Sequence, residues 1–185
     1  MNNTNMKMDN TEIIQALKTC NAVMFGDFTL SSGQKSNFYI DIKKASTDPQ
    51  TLKIVADHIS RLIDSMAMNK DTLIIGGVEL GGVPIATAVS LETLCPLLII
   101  RKEMKEYGTQ SRYVGQLDTS KEIILMEDVT TSGGSVKKAI LALQNDGAKI
   151  TKVITIVDRE SGAAASLKEI GVDLIALVRS SELVK

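Results

Sequence analysis

Along this chain, short unbroken apolar runs alternate with stretches of helical periodicity. The runs are Thr72–Gly76, Pro96–Ile100 and Ile123–Met126, joined by two apolar-rich stretches, the β-branched Lys149–Val157 and Val172–Val178. Runs this short and this rich in apolar residues predict strands covered on both faces, the condition of a parallel sheet between helices. Between them, Leu52, Val55, Ile59, Leu62, Ile63 and Met66 recur at the helical period behind a Thr47-Asp48-Pro49 start signal. Helices are also predicted from Pro84 to about Leu91, after Gly134 to about Gln144 with a stop at Asn145-Asp146-Gly147, and over Ala163–Ile170. The order implies four or five β–α repeats and a mostly parallel, open α/β sheet flanked by helices, with right-handed crossovers.

The amino-terminal part has a different pattern. Residues 1–10 are polar and read as a flexible tail, without the apolar stretch of a signal peptide. Apolar positions from Thr11 to Val23 predict a helix at the domain edge. From Phe25 to Lys44 the period changes to two, around Ser31-Ser32-Gly33-Gln34, which predicts a strand pair outside the main sheet. All three Phe residues fall in this unit, either as a satellite core or as a hood over a planar ligand. One domain over residues 1–185 is expected, with a small hood at 11–45 and an α/β core at about 48–180.

Composition narrows the picture only slightly. The 185 residues carry a net charge of −1, so no global basic field draws in nucleic acid, and no apolar run is long enough to span a membrane. Cys20 and Cys95 are isolated and lack metal-ligand spacing, which fits a cytoplasmic protein with reduced thiols. The single histidine, His58, falls within the predicted helix after Pro49 and reads as structural.

The candidate chemistry lies where apolar runs end, because open α/β sheets bind ligands at the carboxyl ends of their strands. After Ile123–Met126 come two acids, Glu127 and Asp128, then Val129-Thr130-Thr131-Ser132-Gly133-Gly134-Ser135 and a helix start. Small residues before a helix offer amides and hydroxyls to an anion, and the acids suit sugar hydroxyls or a metal. The turn Gly76–Gly82, with four glycines in seven residues, fits neither a Rossmann nor a P-loop pattern. A loop after Ile100 holds Arg101, Lys102 and Lys105, either a solvated connection or a clamp for a polyanion. Arg159 follows another strand end, either for a ligand acid or for an ion pair with Asp158.

The segment EDVTTSGGS resembles the phosphoribosyl-pyrophosphate motif of type I phosphoribosyltransferases. FTLSSGQKSNFYID, RKEMKEYG and VDRESG narrow the resemblance to the orotate branch, over approximately Phe25–Gly162 and in the same order. The resemblance implies transfer of the phosphoribosyl group from phosphoribosyl pyrophosphate (PRPP) to orotate, a step of pyrimidine biosynthesis. It further implies that Glu127 and Asp128 bind ribose hydroxyls, Asp128 within the catalytic centre, with Mg²⁺ held mainly by substrate nearby. Val129, Thr130, Thr131, Ser132, Gly133, Gly134 and Ser135 would wrap the 5′-phosphate, and Thr131 would also touch orotate. Arg159 would pair with the orotate carboxylate, and Tyr39 and Ile40 would lie against the base. Arg101, Lys102 and Lys105 would act on the diphosphate during catalysis, with Lys102 reaching across a homodimer and the Gly76–Gly82 turn on the diphosphate side.

Three positions depart from that pattern. Tyr107 stands where the bacterial members usually carry a loop histidine. Ser31 and Gly81 stand where lysines are common, and Lys35, Lys43 and Lys44 are the nearby cations that could replace them. Alternatives on the same fold are a phosphoribosyltransferase for another base, which would not need Arg159, and a nucleotide-sensing regulatory protein. A regulator would be expected to add a nucleic-acid-binding element, and neither a helix-turn-helix extension nor a basic face is evident.

Overall fold

The computed structural model describes residues 10–29, 35–102 and 112–184. Its first helix, α1 (Thr11–Thr19), ends earlier than the apolar pattern predicts, because the chain turns at Asn21, whose φ of 56° is left-handed. Val23 instead opens β1 (Val23–Thr29), which pairs antiparallel with β2 (Lys35–Ile40) in a separate two-stranded ribbon. This is the expected strand pair. Its inner residues Val23 and Ile40, with Ile42 just after β2, join the core of the main sheet, so the ribbon is anchored rather than free-standing.

A short helix, α2 (Lys43–Thr47), leads into α3 (Pro49–Ser65). Asp48 caps α3 by accepting from the Thr51 amide at 2.8 Å, and Pro49 takes the first helical position, where its missing N–H costs nothing. Val55, Ile59 and Ile63 face inward and are fully buried, each contributing about 1.5–3 kcal/mol. His58 is buried on α3, with Nδ1 3.0 Å from the Ile54 carbonyl and Nε2 3.5 Å from Glu12 on α1. It joins two helices, as a structural histidine would.

The main sheet has six strands: β3 (Leu73–Val78), β4 (Leu97–Ile100), β5 (Tyr113–Val114), β6 (Glu122–Thr130), β7 (Lys149–Asp158) and β8 (Asp173–Arg179). Their order is β5-β4-β3-β6-β7-β8, parallel except for the antiparallel edge strand β5. The connecting helices are α4 (Gly82–Thr93), α5 (Gly134–Asn145) and α6 (Ala163–Lys168), and α7 (Ser180–Leu183) follows β8. Successive strand residues point to opposite faces. Ile124 and Met126 therefore join α1, α3 and α4 in one core, while Ile123 and Leu125 meet α5 and α6 in the other. Two covered faces explain the unbroken apolar runs.

Candidate active site

The sheet places β3 and β6 side by side, and both strands end at one cleft. Their paired register stops at Gly77 and Met126, after which β6 continues with β7 alone to Thr130. Glu127 and Asp128 therefore lie inside β6, not beyond it. Along this stretch the amide of Asp128 donates to Glu127 Oε1 at 3.2 Å, and the amide of Val129 to Asp128 Oδ1 at 2.8 Å. These bonds hold both carboxylates against the strand.

Burial, together with the hydrogen bond and negative charge of Asp128, pushes the Glu127 carboxyl far above its ordinary value, with Lys102 pulling in the opposite direction. A carboxylate removed from water beside a second acid resists ionisation. The pair is thus arranged to share protons or to meet a cation or hydroxyl groups.

The cleft has a volume of about 290 Å³ and is lined by all of residues 127–136, by Glu79, Leu80 and Gly81 of the glycine turn, and by Lys102 and Lys43. Thr130 is buried and donates to Asp158 Oδ1 at 3.0 Å, which fixes the exit of β6. Gly133 then adopts a left-handed φ of 77°, and α5 starts at Gly134 with its amino end toward the cleft-lining residues. First-turn amides of α5 and the residues Thr131, Ser132 and Ser135, which carry hydroxyls, therefore line one wall of the cleft, an arrangement able to receive an anion.

The opposite wall is glycine for reasons of contact. A side chain begun at Gly81 would fall on the Asp128 carboxylate, and one at Gly82 on the Met126 carbonyl. At Gly77 it would come 2.7 Å from Ala86 Cβ. The turn and α4 therefore approach β6 at a separation that only glycine permits, and Glu79 and Leu80 project at the rim. The Glu79–Leu80 peptide is cis. Glu79 Oε2 accepts from the Lys102 amide at 3.3 Å, tying the start of the basic loop to the glycine turn.

Arg159 stands beside this cleft rather than in its wall. Its amide donates to the Thr130 carbonyl at 2.8 Å, and its Nη2 donates to the Ile40 carbonyl of the ribbon at 2.9 Å. The expected alternative, an ion pair with Asp158, does not form; Asp158 is engaged by Thr130 and by the Glu160 amide. Ile40 is buried, whereas Tyr39 is 40% exposed and lies 5.7 Å from the Phe28 ring. Arg101 is half-buried, with its amide bonded to the Arg112 carbonyl at 2.9 Å, and lies outside the cleft wall. Lys105, Tyr107 and Ser31 fall outside the described residues.

The structure thus gathers Glu127 to Ser135 and Lys102 in one cleft and joins Arg159 and Ile40 to it through backbone carbonyls. Glu79 was not among the expected site residues; its only sequence signal was a lone acid among glycines at a strand end. Glu127 and Asp128 are hard oxygen donors suited to Mg²⁺. Among the described residues no cluster of three or more acids, histidines or cysteines forms a metal cage, so substrate oxygens would have to complete the coordination.

Fold and cleft together are those of a phosphoribosyl-transferring domain, and residues 44–175 match the phosphoribosyl transferase domain family, to which the chain belongs. Among its relatives, the orotate phosphoribosyltransferase of Methanosarcina mazei is 56% identical over 181 residues, covering 98% of this chain and 95% of the relative. The crystal structure of the Mycobacterium tuberculosis orotate phosphoribosyltransferase superposes with a TM-score of 0.79 at 27% identity, covering 95% of this chain and 98% of the other. That of Aeropyrum pernix gives 0.75 at 28% identity, covering 93% and 96%.

Proposed function

We propose that the protein transfers the 5-phosphoribosyl group from PRPP to orotate, forming orotidine 5′-monophosphate and pyrophosphate. The observation that carries this reading is Arg159. Its guanidinium is held by the Ile40 carbonyl at the mouth of an anion cradle, while other guanidinium donors remain for a carboxylate. Orotate carries a carboxylate that a planar, bidentate donor matches; purine bases and uracil have none.

In this reading the 5′-phosphate occupies the amino end of α5, held by the amides and hydroxyls of residues 129–135. Glu127 and Asp128 hold the ribose hydroxyls and set the sugar's orientation. Mg²⁺ held mainly by the substrate, beside Glu127 and Asp128, would supply neutralisation of the diphosphate charge. Bond breaking at the ribose C1 develops positive charge on the sugar and negative charge on the leaving diphosphate. Positioning and electrostatic stabilisation of that separation account for the catalysis. Asp128 stands near the sugar side, and Lys102, with Arg101 and Lys105 from the same loop, serves the diphosphate side. Thr131 and Arg159 orient orotate, with Tyr39 and Ile40 of the ribbon against its ring.

The enzyme acts in the cytoplasm as a homodimer. Among the described residues no helix is long and apolar enough to cross a membrane, and both cysteines are free. In this reading, which follows the family resemblance, Lys102 reaches into the neighbouring subunit's site. Its position on the wall of its own chain's cleft favours a second reading, in which it acts within one subunit.

The test is to incubate the protein with PRPP, Mg²⁺ and either orotate, uracil, adenine or hypoxanthine, and to follow base consumption. Loss of orotate alone, and only with Mg²⁺, is expected. Consumption of another base instead, or binding without turnover, would overturn the reading.

A further inference from the structure

The diphosphate side of the cleft has few cations for the charge it must hold. Its described wall is made by the glycine turn at Glu79, Leu80 and Gly81, and contact excludes a side chain at Gly81 while Asp128 holds its place. Among the described lining residues the only cations are Lys102 and Lys43, set against the acids Glu79, Glu127 and Asp128. A diphosphate met by the basic loop and Mg²⁺ on one side leaves room for a further cation on another wall of the cleft.

Three lysines near the ribbon are available in sequence, and the structure separates them. Lys35 Nζ donates to Thr29 Oγ1 at 2.8 Å across the ribbon, and Lys44 Nζ is turned to Met24 Sδ at 3.5 Å. Lys43, the first residue of α2, lines the cleft, and its ammonium has no hydrogen bond or ion pair among the described residues. Its carbonyl accepts from the hydroxyls of Ser46 and Thr47, so the backbone of α2 is fixed while the side chain is free. α2 also packs against α4, the helix that starts at the glycine turn.

We infer that Lys43 is a substrate-binding residue that donates to the diphosphate of PRPP from the ribbon side of the cleft, opposite the basic loop. This rests on the proposed transferase reading for the identity of the anion. A lysine suits the task because a compact point charge on a flexible stem can follow the diphosphate as it departs.

The test compares Lys43→Ala, Lys43→Arg and Lys44→Ala with the wild type. Magnesium pyrophosphate is titrated calorimetrically into each, and the KM values for PRPP and orotate are measured. Removing a charge-assisted contact should weaken pyrophosphate binding and raise the KM for PRPP about tenfold or more in Lys43→Ala. The KM for orotate and the melting temperature should stay near wild type. Lys43→Arg should recover most of the affinity, and Lys44→Ala should bind as wild type does. Pyrophosphate affinity unchanged in Lys43→Ala, or lowered equally in Lys44→Ala, would overturn the inference. Failure of the transferase reading would show separately, as wild-type protein that does not consume orotate.

Discussion

Arg159 and Glu127 show how single side chains can be committed before any ligand arrives. Arg159 gives one guanidinium nitrogen to the Ile40 carbonyl, which fixes the plane of the group and reduces the entropy lost on binding a carboxylate. Arg159→Ala should raise the KM for orotate about tenfold to a hundredfold, the range for losing hydrogen bonds to a charged group. The KM for PRPP should change little, because Arg159 lies outside the phosphate cradle; steady-state kinetics in both substrates checks this. Glu127 makes a prediction about pH. Burial and Asp128 raise its carboxyl from the ordinary 4.5 to about 8. The folded state thus binds a proton that the unfolded state releases, and the stability this supplies is complete below about 4.5 and lost as pH rises through about 8. The melting temperature of the wild type should therefore fall relative to Glu127→Gln between these limits, by roughly 2–4 °C for each kcal/mol lost. Parallel melting curves for the two proteins would contradict the raised value.

At the scale of elements, the glycine turn between β3 and α4 sets the distance between the two walls of the cleft. Gly81→Ala would place a methyl group on the Asp128 carboxylate, either displacing that side chain or pushing α4 from β6. A cost of about 1–3 kcal/mol is expected, as for other overpacked sites, with loss of turnover because Asp128 moves. A urea midpoint and a rate measured on the same sample check both. The strands of the main sheet were legible because burial on both faces keeps them short and rich in apolar residues, and α3 because its cap and first-turn proline are local signals. Other boundaries were set by forces that a sequence pattern does not record. β6 continues through Glu127 and Asp128 because β7 pairs with it as far as Thr130, although both residues are acidic. α1 stops where Asn21 turns the chain, although apolar residues continue to Val23. α2 carries the sequence KKAST, which has no apolar stripe, and it escaped the periodicity for that reason. The cleft wall proposed to cradle the 5′-phosphate was legible as a strand, loop and helix on consecutive residues. Lys43 and Glu79 came into the cleft from separate elements, and only tertiary packing brings them there.

For the whole molecule the open question is how many chains complete one cleft. If Lys102 acts in the neighbouring subunit, mixing inactive Lys102→Ala with inactive Asp128→Asn protein should restore activity. In each mixed dimer one site would then have both residues intact. About a quarter of the wild-type rate is expected, since half of randomly paired dimers are mixed and each has one working site. No restoration after exchange of subunits would assign Lys102 to its own chain's cleft.

The last helix also bears on the loop that carries Arg159. Glu160, next to Arg159, has a left-handed φ of 57° and accepts from the Ser181 amide at 2.9 Å and from the hydroxyls of Ser180 and Ser181. These contacts hold its carboxyl below the ordinary glutamate value. The last helix is thus a tether, and the loop carrying Arg159 is moored to it. A protein trimmed from residue 180 would lose Leu183 from the core that holds α1 and α3 and would leave that loop adrift, so clipping this end would be felt both in stability and in the placement of Arg159. A fusion partner appended there would load the same mooring.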